Sequence, residues 1–315
     1  MNPSISGIHH VTAIAGAPQP NVDFYVGLLG LRMVKLTVNF DDPGTYHLYY
    51  GDAQGSPGSV LTFFPWPGAP GGVRGTGQAT ETAFSIPARS LGFWNERLRD
   101  AGITIQGPFG RLGDQVLGLS DPDGLEIEIV ATEREGRSAP GERGLVPGEH
   151  AIRGFHSVTL TESEPKATTA LLEEALGFRR VAQEENRIRY EVGGGGPGAT
   201  VDLASAPRAQ RGLVSVGTVH HVAWRTPDDR EQADWRVSLA KRGLRVTPVA
   251  DRQYFRSIYF REPGGVLFEI ATDAPGFAVD EPVERLGTGL KLPPWLESRR
   301  GEIANALPPL TLPAA

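Results

Sequence analysis

What most constrains this chain is that it repeats itself. His10-Val11-Thr12 stands 20 residues before Gly30 in Leu29-Gly30-Leu31-Arg32, and His156-Ser157-Val158-Thr159 begins 21 before Gly177 in Leu176-Gly177-Phe178-Arg179. A second pattern runs from Ala101-Gly102-Ile103 to Asp121-Pro122-Asp123-Gly124 and Glu128, and again from Arg242-Gly243-Leu244 to Glu262-Pro263-Gly264-Gly265 and Glu269, with 26 residues from Gly to Glu each time. Equal spacing of matched features divides the chain into four modules, roughly 7–66, 78–132, 152–205 and 217–272, in the order A, B, A′, B′.

Each module reads as a strand, an amphipathic helix ended by glycine, then strands joined by Gly/Pro turns. In module B, Thr82 to Ile86 alternates, Leu91, Trp94 and Leu98 fall at helical spacing, and a hairpin surrounds Asp121-Pro122-Asp123-Gly124. The expected class is α+β, with four βαβββ modules paired into two cup-shaped curved sheets, since a curved sheet with one face to bury joins another edge to edge. Residues 1–135 carry the first pair of modules, 152–272 the second and 273–315 a C-terminal tail. The polar, Gly/Pro-rich stretch 133–151 reads as a linker. Pro293-Pro294-Trp295 is expected to wrap a surface, and the final LPPLTLPAA to be loose.

Composition narrows the ligand. Zero cysteines exclude disulfides, thiolate nucleophiles, Cys-ligated zinc and iron–sulfur clusters, so a metal must use His, carboxylate and water. A net charge of −6 without a basic block argues against nucleic acid and anionic membrane as partners. No apolar run reaches the roughly 18 residues of a membrane span, and the start MNPSISGIHH lacks a signal-peptide pattern, so a cytoplasmic location is expected. The expected partner is a small molecule, and a homo-oligomer is allowed.

Two of the opening strands carry His-His pairs, His9-His10 and His220-His221. Strand alternation lets one of each pair face a cup while its neighbour packs behind. Glu269 lies in the apolar run Val266-Leu267-Phe268-Glu269-Ile270, where an unpaired carboxylate is costly. Two His and one carboxylate on a concave sheet describe the facial triad that holds Fe(II) with open positions. His47, His150 and His156 read as hydrogen-bonded core residues, and Glu126 and Glu128 as a solvated face. Phe63, Phe64, Trp66 and Tyr254 read as core, with an aromatic pocket as the second possibility.

The repeated modules with His on a first strand and Glu on a last one resemble the vicinal oxygen chelate superfamily, which holds glyoxalase I and the extradiol dioxygenases. A narrower set comprises Ile8-His9-His10-Val11-Thr12, Thr45-Tyr46-His47-Leu48-Tyr49-Tyr50, Gly58, Leu61-Thr62-Phe63-Phe64-Pro65, Arg153-Gly154-Phe155-His156-Ser157, Ser257-Ile258-Tyr259, Pro263-Gly264-Gly265-Val266-Leu267-Phe268-Glu269 and Leu290-Lys291-Leu292-Pro293-Pro294. With these the chain resembles, over nearly its whole length, the para-hydroquinone ring-cleaving dioxygenases of aromatic hydrocarbon catabolism.

That resemblance implies a glyoxalase/dihydroxybiphenyl dioxygenase-like fold and an Fe(II) cofactor, with Mn(II) as the second candidate metal. It implies metal ligands His10, His221 and Glu269, so that the first and fourth modules share a cup, and a small aromatic diol and O2 as substrates. It places His9, Thr12, His220, Tyr259 and Arg252 around the reacting oxygen. A catechol-type extradiol dioxygenase would instead use His156, His221 and Glu269. The same modules would also serve a glyoxalase-type lyase or isomerase, or a non-enzymatic protein that binds a small ligand. The second cup, with Glu128 and His156, is expected to be a structural duplicate without metal.

Overall fold

Module A of the computed structural model, which describes residues 3–134 and 145–312, contains strands β1 (Ile8–Ala15), β2 (Arg32–Asn39), β3 (Asp42–Gly51) and β4 (Val60–Pro65). Module B contains β5 (Gln78–Pro87), β6 (Ile105–Arg111), β7 (Asp114–Ser120) and β8 (Glu126–Thr132). Module A′ contains β9 (Phe155–Glu162), β10 (Arg179–Glu184), β11 (Arg187–Glu191) and β12 (Thr200–Ser205). Module B′ contains β13 (Thr218–Thr226), the two-residue β14 (Ala250–Asp251), β15 (Arg256–Arg261) and β16 (Leu267–Thr272).

The module helices are α1 (Pro18–Val22), α2 (Leu91–Asp100), α3 (Lys166–Ala170) and α4 (Asp229–Lys241), and α1 and α3 each widen into a π-helical turn. The matched glycines Gly30, Gly102, Gly177 and Gly243 all stand at φ between 70° and 86°, the left-handed conformation that stops a helix cheaply only at glycine.

The strands form two curled eight-stranded sheets, β14-β15-β16-β13-β1-β4-β3-β2 and β10-β11-β12-β9-β5-β8-β7-β6. Modules A and B′ therefore share the first cup, and B and A′ the second. One face of each sheet packs into a common core that includes Trp94, Trp224, Trp235, Tyr25, Phe63 and Phe155. The inner face of the first cup carries a separate cluster of Val34, Tyr49, Tyr254, Phe255, Phe277 and Leu286. No helix among the described residues is long and apolar enough to cross a membrane.

The tail closes over the first cup. Phe277 inserts beside Tyr49 and Tyr254, Lys291 N donates to Leu36 O (2.9 Å), and Thr37 Oγ1 donates to Lys291 O (2.6 Å). Its end is docked rather than loose. Leu307 is buried, Tyr46 Oη donates to Pro308 O (3.0 Å), and Thr311 N donates to Gln19 Oε1 (2.8 Å) in helix α1. The apolar residues of the Leu-Pro repeat supply the reason, since Leu310 and Leu312 pack against the common core. Residues 313–315 and, within the expected linker, 135–144 lie outside the described residues.

A buried carboxyl pair ties the cups together. Glu262, in the β15–β16 turn, accepts from Thr168 Oγ1 (2.6 Å), Gly264 N (2.9 Å) and Val266 N (2.8 Å). Glu162, at the end of β9, is buried against it, and a Cβ on Gly264 would strike its Oε2 at 2.0 Å. Burial and the adjacent Glu262 charge push the Glu162 carboxyl up to about 8. A carboxyl whose folded value lies above its unfolded one favours folding at low pH and loses that contribution as pH climbs from about 4.5 to 8. Glu162→Gln is therefore expected to match the parent near pH 5 and to exceed it by roughly 2–4 kcal/mol near pH 8.5. Urea unfolding at the two pH values measures this, and a difference independent of pH would refute it.

Candidate metal centre

The site begins with two β-bulges. Along β1 and β13, Ile8 pairs with Trp224 but His10 with Ala223, which leaves His9 as an extra residue; Thr12 pairs with His221 but Ala13 with Val219, which leaves His220 extra. A bulge re-aims side chains and breaks the two-residue alternation. The neighbours of the cup-facing histidines consequently do not pack behind the sheet. His9 Nδ1 lies 2.9 Å from His10 Nδ1, and His220 Nδ1 lies 2.7 Å from His221 Nδ1.

Three buried ligand atoms converge in the first cup. His10 Nε2 is 3.3 Å from His221 Nε2 and 3.4 Å from Glu269 Oε2, and His221 Nε2 is 3.0 Å from the same oxygen. Glu269 Oε1 accepts from Ser257 Oγ (2.5 Å), whereas the fully buried Oε2 has no hydrogen bond of good geometry. Ligands about 2.1 Å from one ion and 90–110° apart stand about 3.0–3.4 Å from each other. The donor set, its spacing and the orphaned oxygen all fit a divalent metal, and His10, His221 and Glu269 are the group among the described residues that could hold one.

Hydrogen bonding fixes the tautomers that such a role needs. His9 Nε2 contacts Thr272 O (3.1 Å), which can only accept, so Nε2 carries the proton. Burial and the neighbouring His10 lower His9 to about 3, keeping it neutral, so its Nδ1 accepts from His10 Nδ1–H and His10 Nε2 is left bare. His220, likewise lowered to about 3 by burial and His221, is the matching neutral partner of the other ligand. The ring of Phe255 packs 4.9 Å from that of His10.

Around this cluster stand the other predicted residues. Thr12 shares the strand face of His10 and pairs across the sheet with His221 and Thr62. Tyr259 pairs with Glu269, its ring 5.8 Å from that of His221, and burial together with Glu269 raises its phenol. Arg252 donates to Tyr259 Oη (3.2 Å) and Asp41 Oδ2 (2.9 Å).

Reasoning from sequence missed His47. It is not an isolated core histidine: its Nε2 meets Thr62 Oγ1 and its Nδ1 meets Tyr49 Oη, both at 2.8 Å. Phe64, 4.3 Å from the His47 ring and 5.8 Å from that of His220, is the aromatic residue of Phe63, Phe64, Trp66 and Tyr254 that stands between these histidines. The signal was present in Thr62 and Tyr49, whose hydroxyls alternate onto the face of Thr12.

The second cup shows why a duplicate site need not bind metal. Strand register places Ser157 where His10 stands, Glu81 where His221 stands and Glu128 where Glu269 stands. His156 is the bulge residue and matches His9 rather than His10. Glu128 is buried, not solvated, and Arg111 Nη1 reaches both its oxygens at 2.6 and 2.7 Å. Arg187 binds Thr159 Oγ1 (2.6 Å) and Glu81 Oε2 (3.2 Å). Gly118 stands opposite Glu128 where Tyr259 stands opposite Glu269, so no phenol holds Arg111 away from the carboxylate.

A curled βαβββ double sheet with two imidazoles and a carboxylate converging in one cup defines a class of protein with a cluster that could hold a metal. The chain belongs to the Glyoxalase/Bleomycin resistance protein/Dioxygenase superfamily, whose model matches residues 7–129 and 154–270. It is 48% identical over 96% of both chains to MhqO of Bacillus subtilis (strain 168), named as a candidate ring-cleaving dioxygenase. It is 35% identical, over 96% of both, to the chlorohydroquinone/hydroquinone 1,2-dioxygenase of Sphingobium indicum. A crystal structure of a candidate dioxygenase from Bacillus subtilis covers 99% of this chain and 100% of its own, with 47% identity and a TM-score of 0.95.

Proposed function

We propose that this protein is an Fe(II)-dependent dioxygenase that opens a hydroquinone-type ring beside a hydroxyl and inserts both atoms of O2. The observation that carries the reading is the convergence of His10 Nε2, His221 Nε2 and the orphaned Glu269 Oε2 in one buried cup. Relatives 35–48% identical over nearly the whole chain bear dioxygenase names, and the chain is a dioxygenase of that group. Two imidazoles and one carboxylate suit redox iron, with Mn(II) as the second candidate.

His10, His221 and Glu269 would hold the metal, and iron there would supply the redox chemistry that lets triplet dioxygen react with a closed-shell ring. His9 and His220 keep the ligand imidazoles oriented through their Nδ1 contacts. A para-diol cannot chelate through neighbouring oxygens, so the pocket must orient it. Thr12 and Tyr259 flank the ligand cluster and offer hydroxyls to the substrate oxygen, while Arg252, tethered by Asp41, holds Tyr259 and contributes positive charge where the oxygen ionises.

The test is oxygen uptake by anaerobically Fe(II)-loaded protein offered hydroquinone, methylhydroquinone, chlorohydroquinone and catechol. Fast uptake with the para-diols and little with catechol is the expected result. Preference for catechol would remove the para-diol assignment, and no uptake with any of them would remove the dioxygenase reading.

A further inference from the structure

Ionising a substrate hydroxyl at the ligand cluster releases a proton, and the histidines nearest the cluster have no lone pair with which to take it. His9 donates through Nε2 to Thr272 O and accepts at Nδ1. Once His221 Nε2 serves as a ligand, its Nδ1–H fills the Nδ1 acceptor of His220, whose Nε2 then carries a proton. His10 and His221 spend their remaining lone pairs on the metal.

A continuous chain of hydrogen bonds begins at Thr12, beside the cluster. Thr12 Oγ1 meets Thr62 Oγ1 at 2.8 Å, Thr62 Oγ1 meets His47 Nε2 at 2.8 Å, and His47 Nδ1 meets Tyr49 Oη at 2.8 Å. Thr12, Thr62 and Tyr49 are almost wholly buried and His47 is half-buried, so the Thr12–Thr62 link is shielded from bulk water. Thr12 lies on the strand face of His10 and opposite His221, which puts its side chain on the cluster's side of the sheet, where a substrate hydroxyl could reach it.

We propose that His47, acting through Thr62 and Thr12, is the base that accepts the substrate's phenolic proton and later returns it to the departing product. The inference rests on the dioxygenase reading above. Before transfer, the substrate O–H donates to Thr12, Thr12 to Thr62, and Thr62 to the bare Nε2 of His47, whose Nδ1–H donates to Tyr49 Oη. Each hydroxyl passes on its own proton and receives the next. Afterwards the substrate is a phenolate accepting from Thr12, and His47 is an imidazolium with both N–H groups bonded, to Thr62 Oγ1 and Tyr49 Oη. No proton is gained or lost by the set. Burial makes a lone charged imidazole costly, a cost the bound phenolate's opposite charge offsets, so the proton stays on His47 while the substrate is held and goes back along the same hydroxyls when the product leaves.

The chain can be cut without touching a metal ligand. Thr62→Val keeps the shape and removes the hydroxyl, Thr62→Ser keeps the hydroxyl, and His47→Phe removes the acceptor. In iron-loaded protein, Thr62→Val and His47→Phe are expected to lower kcat/KM for hydroquinone by about 10²–10³-fold, carried by kcat, while Thr62→Ser recovers most of the loss. Under anaerobic conditions, ultraviolet difference spectra should show phenolate bound to the parent and to Thr62→Ser, but neutral phenol bound to Thr62→Val and His47→Phe, at equal iron content.

Phenolate in Thr62→Val, or a Thr62→Ser protein as impaired as Thr62→Val, would overturn the relay even if His47→Phe failed to fold. A parent active on para-diols with a fully active His47→Phe overturns this inference alone. A parent inert toward them overturns the underlying function and the relay with it.

Discussion

Glu269→Gln is expected to fold, to keep its sheet structure and to lose both metal and turnover. Gln can still accept from Ser257 through a neutral oxygen, but it brings no negative charge to face His10 and His221. Removing groups that merely orient metal ligands commonly costs 10–100-fold in affinity, so losing the carboxylate should cost more than about 100-fold. Metal-free parent protein carries a buried oxygen with no hydrogen bond, and the substitution relieves that burden. The metal-free variant should therefore melt no lower than the metal-free parent. Added Fe(II) or Mn(II) should stabilise only the parent, by about 2.7 kcal/mol at a hundred times the dissociation constant. His221→Ala should behave alike in metal binding and activity. Metal content, thermal melting and oxygen uptake check the set, and full iron with full activity in either variant would dismiss the site.

The second large effect lies at Lys35, which is wholly buried on β2. Its ammonium meets Asp280 Oδ1 and Glu281 Oε2 at 2.5 Å and Phe277 O at 3.1 Å, and lies 4.9 Å from the Tyr254 ring centre. These acceptors belong to the tail that closes the first cup. Lys35→Met removes the buried cation that bridges the buried Glu281 and the partly exposed Asp280, leaving Lys291 Nζ 3.9 Å from Glu281, a loss of about 3 kcal/mol or somewhat more. For a chain of this length that is a fall of about 5–8 °C in melting temperature. Tail residues near Phe277 should become open to protease. Combining Lys35→Met with Asp280→Asn and Glu281→Gln should restore much of the stability, because the penalty is an unpaired charge rather than a lost contact. A Lys35→Met protein that melts with the parent and resists protease equally would contradict the assignment.

Repeat spacing makes the architecture legible in the sequence, because matched glycines and turns mark module boundaries whatever the module does. The convergence of His10, His221 and Glu269 is legible for the same reason, with the resemblance choosing between His10 and His156. The parts that were not legible are those where period-two reasoning breaks. His9 and His220 turn toward their neighbours through bulges that no local residue pattern announces. Glu128 has the look of a solvated hairpin residue, yet Arg111, 17 positions away, folds onto it. Lys35 sits among alternating strand residues, and only the tail, some 245 residues later, supplies its partners. His47 looks solitary in the sequence, whereas its contacts in the cup are the hydroxyls of Tyr49 on its own strand and Thr62 on the next.

That the first cup is built from the first and fourth modules has a consequence for the making of the protein. His10 emerges from the ribosome 259 residues ahead of Glu269, an interval of about 10–50 s at ordinary rates of synthesis. Throughout that time the nascent chain lacks the complete His10, His221 and Glu269 cluster, and the second and third modules can close upon each other first. A chain cut short before β16 thus lacks Glu269 altogether, so whatever metal the three residues would hold has no half-built version of their cluster to occupy.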